Sequence, residues 1–176
     1  FVVNVKVLGK FDHNDAKQAL EWIQDMINEE FDTTPTLDNF YNQLYNGQKL
    51  AKLANVLMPG HIKKINNGSM AFKLMENINA FLVACRDYGV ADMDCFQTVD
   101  LWDRENLHQV CVTIHALGRK ARKNGLKGIG PLEADRNTRQ FKKEVLLEGK
   151  RIVSTQYGYN KGANQSGMNI GNTRHM

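Results

Sequence analysis

The stretch AFKLMENINAFLVACRDYG, Ala71 to Gly89, carries the longest clean periodicity in the chain and decides the fold. Its apolar residues Phe72, Met75, Ile78, Phe81, Leu82, Cys85 and Tyr88 recur with the period that places side chains on one face of an α-helix. A central core helix is expected here, closed by Gly89.

The same period recurs in shorter pieces toward the N-terminus. Leu50, Leu53, Ala54 and Leu57 predict a helix stopped by Pro59-Gly60. Before it, Leu37, Phe40, Tyr41 and Leu44 share a face behind Thr36 as N-cap, and Asn46-Gly47 ends that segment. Ala16, Ala19, Leu20, Ile23, Met26 and Ile27 predict a first amphipathic helix, capped by Asn14 or Asp15 and running to Phe31 before Thr33-Thr34-Pro35 breaks it. Phe1, Val3, Val5 and Val7 alternate as a strand would, but no second strand pattern follows to pair with them.

Toward the C-terminus, Asp92 to Glu105 is acidic and turn-rich around Phe96, Val99, Leu101 and Trp102. A last helix carries Leu107, Val110, Cys111, Ile114 and Leu117, turns basic at Arg119, Lys120, Arg122 and Lys123, and stops at Asn124-Gly125. Together these segments predict an all-α domain of four principal helices plus short ones, over about residues 12 to 124, packed as neighbours around one core. Trp22 and Trp102 read as core residues rather than as stacking platforms.

Gly125, Gly128, Gly130 and Pro131 then predict a flexible exit. From Arg139 to Lys150 a short helix can form, with Phe141, Val145 and Leu146 to dock it. The chain is thus read as a helical domain with an N-terminal extension over 1–124, a basic linker able to hold a short helix over 125–151, and a last segment over 152–176.

Charge divides the 176 residues more sharply than the net +4 conveys. Residues 1–118 hold 10 Lys+Arg against 15 Asp+Glu, a net −5, while residues 119–176 hold 13 against 4, a net +9. An acidic body therefore carries a basic arm, which attracts acidic filaments, nucleic acid or anionic membranes.

Hydrophobic content of 42% suits a globular chain, and no apolar run is long enough to span a membrane. Phe1 to Leu8, interrupted by Asn4 and Lys6, makes a poor signal peptide. Cys85, Cys95 and Cys111 lack a ligand-like spacing and read as reduced structural thiols.

Asp92 and Asp94 open like a calcium loop, but Gln97 stands where glycine is required and Asp103 where a bidentate Glu would close it. His108, Cys111 and His115 could meet a metal on spacing alone; Cys111, however, belongs to the apolar stripe. No phosphate-binding glycine loop and no nucleophile motif occurs, so neither an enzyme nor a bound cofactor is expected.

The last segment, IVSTQYGYNKGANQSGMNIGNTRHM from Ile152 to Met176, spaces Gly158, Gly162, Gly167 and Gly171 between Tyr157, Tyr159, Met168 and Ile170, and has no carboxylate side chain. Too glycine-rich for a core or a long helix, it suits an extended peptide laid along a partner surface. The run from Gly158 to Met168, Gly-Tyr-Asn-Lys-Gly-Ala-Asn-Gln-Ser-Gly-Met, resembles the calponin-like repeat, with Arg174 where that repeat tends to end in a basic residue. One copy is present, similar to the transgelin branch of the calponin family.

The body resembles the calponin-homology domain in its order and spacing: Leu20-Glu21-Trp22-Ile23, Tyr45 to Leu50, Met58-Pro59-Gly60, Glu76-Asn77-Ile78 with Phe81, and Asp100-Leu101-Trp102 followed by Val110. In that family the segment before the first helix is usually helical, which favours helix over strand at the N-terminus.

The resemblance implies a cytoplasmic, cytoskeletal protein whose partner is filamentous actin. On it, Asn160, Lys161, Gly162, Gln165, Met168 and Arg174 are the expected repeat contacts, with Lys142, Lys143, Lys150 and Arg151 adding salt-sensitive attraction. Many family repeats carry serine where Asn164 stands here, which leaves Ser166 as the candidate phosphorylation site.

The alternative is a signalling adaptor whose helical domain binds a protein while the arm anchors to membrane or nucleic acid. Little aromatic interleaving and no long amphipathic helix in the arm weigh against it, and nucleic acid is not expected.

Overall fold

The computed structural model describes residues 10–134 and 137–151, and among them all regular structure is helical. The body holds α1 (His13–Ile27), α2 (Leu37–Leu44), α3 (Gln48–Leu57), α4 (Ala71–Asp87), a 3-10 turn at Asp92–Asp94, α5 (Thr98–Trp102) and α6 (Leu107–Lys123). Helix α7 (Lys143–Arg151) follows in the arm. The chain divides into two units, 1–134 and 135–176, the body belonging to the first and α7 to the second. The alternation at Phe1 to Val7 lies outside the described residues.

Local chemistry sets the helix ends. Asp12, rather than Asn14 or Asp15, caps α1: from an extended backbone (φ −91°, ψ 121°) its carboxylate accepts from the Asn14 N–H at 2.7 Å and the Asp15 N–H at 3.4 Å. The helix also stops four residues before Phe31, because Asn28 turns left-handed at φ 54°. Thr36 caps α2 as expected, accepting from the Asn39 N–H at 3.2 Å. Within the acidic turn-rich stretch, Asp100 reaches back to the Gln97 N–H at 2.6 Å and closes a capping box for α5.

Helix α4 packs against α3 and α5, α1 against α3 and α6, and α6 against α5 and the 3-10 turn. Their shared core is fully buried at Leu20, Ile23, Phe40, Leu44, Leu50, Leu53, Ile78, Phe81, Leu101 and Ile114. Gly47 lets α3 approach α4: it sits at φ +67°, and a Cβ there would lie 2.8 Å from both the Ile78 backbone nitrogen and Asn77 Cβ. Any side chain at that position would wedge the two helices apart.

The buried stripe of α4 keeps Ile78, Phe81, Leu82 and Cys85 of the predicted one and departs from it at the N-terminal end of the helix. Leu74, Ile78, Phe81, Leu82 and Cys85 enter the core, whereas Phe72 is 78% exposed. Phe72, Met75, Glu76 and Asn79 instead form the neighbouring flank, which lines an open groove of about 320 Å³ with Thr98, Val99 and Trp102. A three-to-four spacing admits two adjacent stripes, and apolar residues on both blur them into one. Trp102, expected in the core, is only partly buried and borders this groove, while Trp22 is buried as predicted.

Candidate functional site

The basic exit from the body is built by two glycines in contact. A Cβ on Gly118 of α6 would overlap Ile129, and one on Gly128 would overlap the Gly118 carbonyl oxygen, so residues 126–130 lie directly on the helix. Side chains then fasten this strap. The Trp22 indole N–H donates to the Lys127 carbonyl at 2.8 Å, Lys127 Nζ meets Asp25 Oδ2 at 2.7 Å, and Arg122 donates to the Gly130 carbonyl. The exit predicted as flexible is therefore a packed segment over these residues, since small side chains permit close contact as readily as they permit motion.

The cluster Arg119, Lys120, Arg122 and Lys123 is correspondingly engaged within the body. Lys120 Nζ lies 2.8 Å from Glu133 Oε1, Lys123 Nζ 3.8 Å from Glu133 Oε2, and Arg119 4.0 Å from Asp94 Oδ2. These pairs partly neutralise the positive end of α6. The hydrogen bond from Lys120, aided by the charges of Lys120, Lys123 and Arg119 and opposed by burial, holds the Glu133 carboxyl below the usual carboxylate range.

A depressed acid contributes stability above its unfolded value, about 4.3 for Glu, and loses it as pH falls through the lower folded value. We expect the Trp22 indole proton to shift in an acid titration at a midpoint below about 4.3, and to lose that transition in Glu133→Gln; an unchanged titration in the variant would refute the coupling.

In the arm, Lys142, Lys143 and Lys150 are exposed, the last two on α7, which Arg151 closes. Phe141, Val145 and Leu146, expected to dock that segment, are exposed as well. Asn160, Lys161, Gly162, Gln165, Ser166, Met168 and Arg174 lie outside the described residues.

Two of the residues weighed for metal chemistry have partners of another kind. Asp92 pairs with Arg86 at 2.8 Å, and His115 Nε2 stands 3.0 Å from the Asp15 carbonyl oxygen. Among the described residues no group of three or more His, Cys, Asp or Glu converges on a point suited to a metal. Burial pushes the thiols of Cys85 and Cys111 well above the ordinary range, as befits core residues. No helix among the described residues is long and apolar enough to cross a membrane.

One polar network has no counterpart in the sequence pattern. Asn77, 1% exposed on α4, donates through Nδ2 to the Asn46 carbonyl at 3.0 Å and the Asn66 carbonyl at 2.9 Å, and accepts the Asn66 N–H through Oδ1 at 2.9 Å. The available signal was an asparagine between Glu76 and Ile78, inside a periodic helix where an apolar residue would be ordinary.

A four-helix frame braced by shorter helices, with a strap folded onto its last helix, defines the class: this is a calponin-homology domain. The family model for that domain matches residues 13–123, and the model for the calponin family repeat matches residues 153–176. Two solved calponin-homology domains from Schizosaccharomyces pombe share the fold. One, of an IQGAP protein, superposes at TM-score 0.59 and 24% identity over 84% of this chain and 95% of its own; the other, of Rng2, at 0.60 and 23% over 88% and 99%.

The chain is 43% identical to myophilin of Echinococcus granulosus over 99% of its own length and 92% of the relative's. It is equally identical to muscle-specific protein 20 of Drosophila melanogaster, over 91% and 87%. The chain belongs to the calponin family, in the transgelin-like arrangement of one calponin-homology domain and one repeat. Membership points to a cytoskeletal, actin-associated protein.

Proposed function

We propose that the chain is a non-catalytic cytoskeletal protein of the cytoplasm that binds actin filaments mainly through its C-terminal repeat and basic arm, stabilising or cross-linking them, with the helical domain as carrier. The observation that carries this reading is the partition of charge. Net charge is −5 over residues 1–118 and +9 over 119–176, and Lys142, Lys143 and Lys150 are exposed while the α6 cluster is engaged within the body. The repeat match at 153–176 supports the same end of the chain.

In this reading Asn160, Lys161, Gly162, Gln165, Met168 and Arg174 make the repeat's contact, while Lys142, Lys143, Lys150 and Arg151 supply attraction worth about 0–1 kcal/mol per exposed pair. Phosphate on Ser166 would set negative charge near Lys161 and weaken binding to an acidic filament.

Co-sedimentation with actin filaments tests it. The full chain is expected to pellet with filaments at low salt, and the triple reversal Lys142→Glu, Lys143→Glu, Lys150→Glu to weaken that binding roughly tenfold or more, an effect fading as ionic strength rises. A full chain that stays in the supernatant would leave the adaptor reading in its place.

A further inference from the structure

The segment between α3 and α4 is held by side-chain amides at both ends. Asn55 of α3 clamps Ile62, accepting its N–H at 2.8 Å and donating to its carbonyl at 2.9 Å. Asn77 clamps Asn66 in the same reciprocal way, and Asn66 Nδ2 reaches Glu76 Oε2 at 2.9 Å. Ile62 and Asn66 are buried; between them Lys63 and Lys64 are exposed, with no ion-pair partner among the described residues.

Lys52, Arg86, Arg104, Lys120 and Lys127 of this body all meet carboxylates, whereas Lys63 and Lys64 are adjacent in sequence and face the same groove without one. Amide clamps terminate a loop whether or not it binds anything. Here, though, the clamped segment displays two cations without an ion-pair partner among the described residues, on an open groove of about 360 Å³ lined also by Ile62, Ala80 and the half-exposed Val83.

We propose that this groove docks an acidic peptide segment of a partner protein, with an apolar side chain on the Ala80–Val83 floor and flanking carboxylates on Lys63 and Lys64. Charge complementarity selects the occupant, because the lysines form a positive island on a net acidic body. Of the groove's other titratable groups, Glu76 lines it as a carboxylate, and His61 lines it while pairing with Asp87 outside the lining at 3.3 Å. A dense polyphosphate would meet the Glu76 carboxylate and leave the apolar floor empty, whereas a peptide sets an apolar side chain on that floor beside its acids. This contact belongs to the helical domain and is independent of the arm and repeat.

The test titrates the full chain, ¹⁵N-labelled, with the peptide Glu-Asp-Glu-Leu-Glu-Asp-Ile-Glu. Amide shifts are expected at residues 62–66 and at Ala80 and Val83. Lys63→Glu with Lys64→Glu should lower affinity about tenfold or more at unchanged melting temperature, since neither lysine holds the fold together. Lys142→Glu with Lys143→Glu should leave those shifts in place, and replacing the peptide's Leu and Ile by Ser should weaken binding about fivefold.

Shifts confined to residues 119–151, equal binding by the lysine-reversed variant, or equal binding of the serine peptide would each overturn the proposal. So would inositol trisphosphate moving the same amides at higher affinity than the peptide, which would make the groove a phosphate site.

Discussion

Replacing Asn77 by alanine is expected to lower stability by about 3 kcal/mol or more, enough to bring the melting temperature down by roughly 10 °C in a domain of this size. The amide makes three hydrogen bonds at 1% exposure, and alanine abandons the Asn66 N–H and the Asn46 carbonyl in the interior at once. The Asn66 carbonyl keeps a longer bond from Gln48 Nε2 at 3.3 Å, so the loss falls short of three orphaned groups.

Asn77→Asp separates polarity from volume. The carboxyl keeps the acceptor but faces two carbonyls that need donors, so burial and those oxygens should raise its folded pKa. A raised acid costs little below its unfolded value near 3.9 and progressively more as pH climbs past it. The aspartate variant should thus be markedly less destabilised in mild acid than at neutrality, whereas the alanine variant should show no such dependence. Thermal melts of both variants across pH decide the matter, and a flat aspartate profile would mean that the site is wetter than its burial indicates.

The same asparagine shows where sequence reading loses hold. Helices are legible because each presents an apolar face with a period of its own and a residue that can stop it: Thr36 before α2, Pro59-Gly60 after α3, Gly89 after α4. Such signals are local, and the described helices follow them closely. Asn77 is chosen by Asn66, Asn46 and the loop it pins, partners scattered along the chain, so nothing adjacent to it announces the role.

The strap fails for a related reason. Gly118 and Gly128 matter through one another and through Ile129, and a glycine read alone speaks only of freedom. Phe72 fails differently: at the end of a periodic run, period alone cannot say that a residue belongs to the neighbouring stripe, which here borders a groove shared with Thr98, Val99 and Trp102.

Of the proposed contacts, Lys142, Lys143, Lys150 and Arg151 lie among the described residues; the repeat was legible as a motif and not as a shape. Its role therefore rests on removal. A chain ending at Lys150 loses Arg151, Lys161 and Arg174 together with Tyr157, Tyr159, Met168 and Ile170, while every core residue of the body remains.

We expect this truncation to abolish co-sedimentation with actin filaments at about 0.1 M salt, where charges beyond about 10 Å are already screened. Salt then separates two ways the repeat could act. If its cations alone hold the filament, raising salt on the full chain should reproduce the truncation, and Lys161→Glu should matter only at low salt. If the repeat lies along the filament as an extended peptide with its aromatic and aliphatic residues in contact, part of the binding should survive high salt and Met168→Ala should weaken it at every ionic strength.

The spacing of apolar residues between glycines favours the second outcome, because a purely electrostatic tail needs neither. Equal pelleting of the full and truncated chains would sink both versions, placing the filament contact in the helical domain or its basic exit, where the cations are already committed to Glu133, Asp94 and Asp25.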